Sequence, residues 1–189
     1  MRIIAGQFRG RKLKSPPSLD TRPTSDRLRE TLFNVIAPQI EGARFLDLCA
    51  GSGAVGIEAI SRGAAHVDFV DKSRQMVNLI QANLDLCRVA EDEAEVVISD
   101  ATEFLRRCLK RKSDPWVLVF FDPPYADDYL RVLQLFGANA KELLDENGLM
   151  IVEHLHQNKL PEVVGDLRLR RVSKQGDSAL SFYGKSLGL

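Results

Sequence analysis

Five short apolar runs, at residues 43–48, 66–71, 95–99, 116–121 and 148–154, recur along the chain, each of the first four followed by a helical pattern and the last by a short one. They are too short for buried helices and lack clean polar–apolar alternation, which is how strands covered on both faces read. Strand–helix alternation of this kind folds into a parallel sheet with helices on both sides. The fourth run is the most restrictive. "VLVFFDPPY" (117–125) passes from five apolar residues to an acid, two prolines and a tyrosine. Neither proline can extend a ladder, so the chain must stop there, at the carboxyl edge of the sheet where open α/β folds bind ligands. The tail differs: "LRLRRVS" and "SALSFYG" flank Lys174–Asp177, a hairpin signature that makes the last strand antiparallel. A short helix is expected near 158–165.

Ahead of the first run, residues 2–14 read as two short strands around "GQFRG", with Gly6 and Gly10 at turn or bulge positions. Residues 15–23 form an irregular linker. A helix follows, capped by Thr24 or Ser25 with Asp26 in its first turn. Leu28, Leu32, Val35 and Ile36 make its buried stripe, Arg27, Thr31 and Asn34 share the other face, and Pro38 is expected to end it. The division expected is a basic hairpin and helix over 1–40 and the main α/β domain over 41–189.

Net charge is zero over 189 residues, but it is unevenly placed. Residues 1–29 hold eight basic and two acidic side chains, so this segment is +6 and the remaining 160 residues carry −6. A basic arm on an acidic body points to a polyanionic partner docking at one end. No run approaches the roughly 18 apolar residues of a spanning helix, and the N-terminus has no signal-peptide core. Cys49, Cys87 and Cys108 share no metal-ligand spacing, which fits free thiols in a reducing cytoplasm. His154 and His156 sit two apart on a strand without a third ligand; they are expected to face solvent, and no metal is expected.

"FLDLCAGSGAVGIEA" places Gly51-x-Gly53-x-x-Gly56 between a strand and a helix, with Asp71 20 residues beyond Gly51. That spacing fits a dinucleotide loop. The neighbours argue for another ligand. Asp47 precedes the loop by four residues, and no Lys or Arg from 45 to 61 offsets it. A carboxylate there repels a pyrophosphate but favours a cationic, phosphate-free cofactor. S-adenosyl-L-methionine, with an amino group and a sulfonium, is such a molecule. Asp71 closes the second strand, placed to accept from ribose hydroxyls, and Asp100 closes the third, placed to accept from an adenine amine. A small Cys49 in the loop reads as a space-filler.

The Asp-Pro-Pro-Tyr turn suits methyl transfer to an exocyclic base amine, whose lone pair is delocalised into the ring. Acceptors aimed at both N–H groups favour a pyramidal nitrogen. The Asp122 carboxylate and the Pro123 carbonyl are two such acceptors, fixed in advance on a stiff turn. Tyr125 offers a stacking face for an extruded base, worth about 1–3 kcal/mol.

"FLDLCAGSGAVGIEAISRGA", "VDFVDKS" and "FFDPPY" resemble the amino-methyltransferases that use S-adenosyl-L-methionine and a D/N-P-P-Y/F motif. With "RIIAGQFRGRKLKSP" and "TRPTSDRLRETLFNVI" at the front, the chain resembles the RsmD family of bacterial 16S rRNA (guanine-N2)-methyltransferases, acting on guanine 966. The resemblance spans nearly the whole chain. It implies a Rossmann-like methyltransferase sheet of seven strands, the last antiparallel. Cofactor-binding residues would be Asp47, Gly51, Ser52, Gly53, Asp71, Asp100 and Ala101. Asp122, Pro123, Pro124 and Tyr125 would hold the target guanine, with Glu153 a weaker candidate on the same rim. Arg9, Arg11, Lys12, Lys14 and Arg22 would bind RNA, and the helix from Arg22 to Asn34 would close over the cofactor. The partner implied is 16S rRNA in the small subunit or its assembly intermediate, met in the cytoplasm by a monomer without a membrane. Three other readings stay open: a DNA adenine-N6 methyltransferase, which also needs the clamp; an NAD-type oxidoreductase, disfavoured by Asp47 and the antiparallel tail; and a non-catalytic RNA-binding ribosome assembly factor.

Overall fold

The computed structural model describes residues 1–16, 26–123 and 129–186. Its centre is an eight-stranded sheet among the described residues, in the order β3-β2-β1-β4-β5-β8-β7-β6. The strands are β1 (Arg44–Leu48), β2 (His66–Asp71), β3 (Ala94–Ile98), β4 (Trp116–Phe121), β5 (Leu144–Leu155), β6 (Val163–Val164), β7 (Leu167–Gln175) and β8 (Ser178–Lys185). β1 to β5 pair in parallel, and β8 joins β5 antiparallel. This is the Rossmann-like methyltransferase sheet expected, with one strand more than the seven implied.

The helices are α1 (Asp26–Ile40), α2 (Ala54–Ser61), α3 (Arg74–Cys87), α4 (Ala101–Arg111), α5 (Tyr129–Ala138) and the short α6 (Ala140–Leu143). The sheet separates two apolar clusters. One holds α1, α2 and α3 against Phe45, Phe69, Phe120 and Phe182. The other holds α4, α5 and α6 against Leu46, Val119, Phe121 and Tyr183. Alternate residues of each strand feed opposite faces, so both faces must be apolar, and the strands read as unbroken runs.

Four local expectations are corrected. α1 runs past Pro38 to Ile40. The N–H that Pro38 lacks would have bonded the carbonyl of Asn34, and both residues are exposed, so water can serve that carbonyl. α1 also buries Arg29 and Phe33, while Val35 is only half-buried. The segment near 158–165 is no helix: Pro161 interrupts it, and Val163–Val164 pairs antiparallel with β7. Residues 2–14 are not a two-stranded ladder, since Arg2 and Lys12 form a single bridge. Four of their donors go to α2 instead. Ile4 and Ala5 N–H donate to the Glu58 carboxylate, Gln7 N–H to the Ser61 carbonyl, and Phe8 N–H to Ser61 Oγ. Gly6 lies so close to the Ser61 carbonyl that a Cβ would fall 1.7 Å from its oxygen. The arm is therefore laid flat on α2 rather than projecting from it.

Candidate active site

Parallel register brings the carboxyl ends of β3, β2, β1 and β4 side by side, and the candidate residues lie along that edge. Cys49 and Ala50 N–H both donate to the Val70 carbonyl, at 2.9 and 3.0 Å, so the glycine loop stays tied to β2 after β1 ends. The loop then turns through positive φ at Cys49, Gly51 and Gly53. A Cβ on Gly51 would meet nothing within 4 Å, so the loop backbone there faces open space. Gly56 answers a different demand: a Cβ on it would sit 2.2 Å from the Phe69 ring, so α2 packs on β2 at glycine distance.

Asp71 organises this edge. Its Oδ2 accepts the Gly51 N–H at 2.9 Å and its Oδ1 the Ser73 N–H at 2.8 Å. Asp100 caps α4, its Oδ1 accepting from Thr102 at 2.9 Å and Glu103 at 3.2 Å, and Ala101 opens that helix. Ile98 stands between the two acids, in register with Asp71 and 42% exposed. An apolar side chain in water at that point offers a surface to a flat ring; the sequence reading missed it. Asp122 follows β4 and donates its N–H to the Leu48 carbonyl at 3.3 Å, which sets it beside the glycine loop across the β1–β4 switch point. Pro123 behind it is buried. Val152 pairs with Phe121, so the next residue, the buried Glu153, lies level with Asp122. Pro124, Tyr125 and Arg22 lie outside the described residues.

Asp47 is placed beneath the loop, almost wholly buried, with Oδ2 accepting the Gly56 N–H at 2.9 Å. Burial, opposed by that hydrogen bond and reinforced by Asp71, pushes its pKa up to about 7. The unfolded value is about 4. The folded state therefore holds this proton more tightly, and the resulting stability is full below about pH 4 and lost as pH rises towards 7. Asp47→Asn, which keeps an acceptor for Gly56, should be more stable than the wild type at pH 8 by up to a few kcal/mol, lose most of that advantage by pH 5 and the rest by about pH 4. Thermal melts of both proteins across this range check it; a difference that ignores pH refutes a neutral buried carboxyl.

His154 is buried, unlike the solvent-facing residue expected. Its Nδ1 donates to the Leu155 carbonyl and its Nε2 accepts from Ser181 Oγ, both at 2.8 Å, and burial lowers its pKa. His156 is exposed. Among the described residues, Cys49, Cys87 and Cys108 form no disulfide.

The arm's basic residues divide. Arg9, Lys12 and Lys14 are exposed, whereas Arg11 donates to the Leu86 carbonyl at 2.7 Å and lies over the Phe8 ring. Three residues that hold arm and loop together carried no sequence motif. Glu58, with no exposed surface, takes Ile4, Ala5 and Arg62 Nε. Arg29, equally buried, bonds Asp26 and the Arg2 carbonyl. Asn83 accepts from Lys14 N–H at 2.8 Å and donates to the carbonyls of Lys14 and Ser52 at 3.1 and 2.9 Å, so one amide joins the arm to the glycine loop. A charged or amide residue inside an otherwise apolar helical stripe is the one signal that could have flagged them.

The family model described as Conserved hypothetical protein 95, that of the RsmD family, matches residues 1–184. The chain belongs to the RsmD family. It is 40% identical to Ribosomal RNA small subunit methyltransferase D of Escherichia coli K12, covering 97% of this chain and 89% of that one. It is 38% identical to YlbH of Bacillus subtilis over 98% and 99% of the two chains. Among solved structures, the Escherichia coli protein yhhF superposes with a TM-score of 0.83 at 39% identity, over 98% of this chain and 97% of that one. The RsmD-family match includes both the arm and the glycine loop, which the structure packs into one unit. Among the described residues, no helix is long and apolar enough to cross a membrane.

Proposed function

We propose that this RsmD-family chain methylates the exocyclic N2 amine of a guanine, guanine 966, in 16S rRNA, with S-adenosyl-L-methionine as donor. The observation that carries the reading is the placement of Asp122 beside the glycine loop, which puts an amine-binding carboxylate next to a cradle for the donor. The family's relatives named for rRNA methylation support it.

The residues present fit this cofactor. The loop backbone is open at Gly51, and no lysine or arginine stands from 45 to 61 to hold a pyrophosphate. Asp71 keeps lone pairs for ribose hydroxyls, since a carboxylate has about four acceptor sites. Ile98 gives adenine an apolar face beside Asp100. A cation over the loop favours the ionised form of Asp47, and ionised Asp47 favours the cation in return. Bound there, the cofactor supplies an electrophilic methyl group on a sulfonium that leaves as a neutral thioether.

The chain's own part is to place and polarise the amine. Asp122 accepts one N–H and the Pro123 carbonyl the other, turning the nitrogen lone pair toward the methyl. Both acceptors sit on backbone anchored to β1, so little reorganisation is needed as charge develops. Tyr125 is proposed to stack on the extruded base. The exposed Arg9, Lys12 and Lys14, with Arg11 and Arg22, are proposed to meet RNA phosphates, and the protein to work as a monomer in the cytoplasm on the small subunit or its assembly intermediate.

Labelled methyl from S-adenosyl-L-methionine, offered to small subunits lacking the modification, naked 16S rRNA and plasmid DNA, tests the reading. Label in N2-methylguanosine from subunits is expected. Label in DNA adenine would overturn the substrate but keep the clamp, and no label anywhere with cofactor bound would leave a non-catalytic assembly factor.

A further inference from the structure

At the other end of the same strands, well away from the glycine loop, three ligand-bearing side chains converge. His66 and Asp68 stand two apart at the start of β2, on one face of the strand, and Glu95 on β3 is the register partner of Asp68. One donor atom from each lies within 4.8 Å of the others. We propose that His66, Asp68 and Glu95 bind a single divalent transition ion, with zinc the best match, that ties the edge strand β3 to β2.

The first argument is a distance. His66 Nε2 and Asp68 Oδ1 are 3.4 Å apart. A charge-assisted N–H···O bond would close to about 2.7–2.9 Å. Two ligands each about 2.1 Å from a tetrahedral zinc ion stand about 3.4 Å apart. The pair is spaced for a shared cation rather than for each other.

The second argument is orientation. His66 Nδ1 lies 2.7 Å from the Asp92 carbonyl. A carbonyl only accepts, so Nδ1 carries the proton and Nε2 is the atom turned toward the acids. Metal-binding histidines are held by such a bond on the other ring nitrogen. Asp68 is pinned likewise: its Oδ2 accepts from Arg44 Nη2 at 3.0 Å and from Trp116 Nε1 at 2.5 Å, leaving Oδ1 toward His66. Even with Arg44 counted, Asp68 and Glu95 leave one negative charge, and Glu91, Asp92 and Glu93 precede β3. Glu95 is exposed and can swing to the ion, and a water completes four-coordination. An imidazole with two carboxylates favours zinc-type ions over magnesium or calcium.

The full-length protein, stripped with a chelator and dialysed, is titrated with zinc chloride by calorimetry and with cobalt chloride by absorption. One ion per chain is expected, with micromolar or tighter affinity, a tetrahedral cobalt spectrum and a melting temperature raised by zinc. His66→Ala and Glu95→Gln should each weaken binding at least about tenfold while melting like the wild type without metal. His156→Ala, which removes an exposed histidine elsewhere, should bind as the wild type does. Absence of binding at about a hundred micromolar, undiminished binding by His66→Ala, or a thiolate-to-cobalt band showing the ion on cysteine would each overturn the site.

Discussion

Replacing Asp122 by alanine is expected to lower kcat for methyl transfer about a thousandfold, a loss of about 4 kcal/mol in the transition state, with cofactor affinity and melting temperature unchanged. The expectation follows from where the residue sits. Its backbone N–H is held by the Leu48 carbonyl, so the turn keeps its place without the side chain. The proposed cofactor cradle is held by bonds of its own: Gly51 N–H to Asp71, and Cys49 and Ala50 N–H to the Val70 carbonyl. What disappears is one of the two acceptors proposed to shape the amine. Asp122→Asn keeps a carbonyl oxygen at the same place and should retain more activity than alanine. Single-turnover transfer, isothermal titration with the demethylated cofactor and a thermal melt separate the terms. Activity within about tenfold of the wild type would remove Asp122 from the reaction.

The second large effect is on stability. Glu58→Ala should destabilise the fold by about 3–5 kcal/mol, which in a domain of this size lowers the melting temperature by roughly 10 °C. The carboxylate is fully buried and takes the N–H groups of Ile4 and Ala5 at 2.7 and 2.9 Å and Arg62 Nε at 2.9 Å. Removing it strands two backbone donors and leaves Arg29 and Arg62 without the charge that both face. Arg29 is the more exposed to this loss in energetic terms, since burial already lowers its pKa and its Nε and Nη1 have no hydrogen-bond partner among the described residues. Glu58→Gln, which keeps an acceptor but no charge, should fall between the two. Because the arm rests on Glu58, RNA affinity should drop with stability in the alanine variant even at temperatures where the body stays folded. A melting temperature within about 2 °C of the wild type would mean that the arm is held by its apolar contacts instead.

Much of this architecture was legible because it is local. The positions of β1 to β4, the hairpin of β7 and β8, and the acids at the ends of β2 and β3 follow from runs of apolar residues cut by Asp, Gly and Pro, and such signals act over a few residues. The errors also have local causes that tertiary context outvoted. Pro38 lies inside α1 because its missing bond falls on the solvent side. Residues 2–14 forgo a ladder because Glu58 and Ser61, more than 50 residues away, take the donors of Ile4, Ala5, Gln7 and Phe8.

The sequence by itself determined the class of sheet, the antiparallel end and the line of candidate residues along one edge, since period, turn chemistry and strand order leave little choice there. Only the tertiary structure decided the depth of Asp47, the burial of Arg29 and His154, the docking of the arm through Glu58 and Asn83, and the meeting of His66 and Asp68 with Glu95. Each of these depends on register and packing between segments distant in the chain. Burial then changes what a charge costs, a quantity that composition and spacing do not carry.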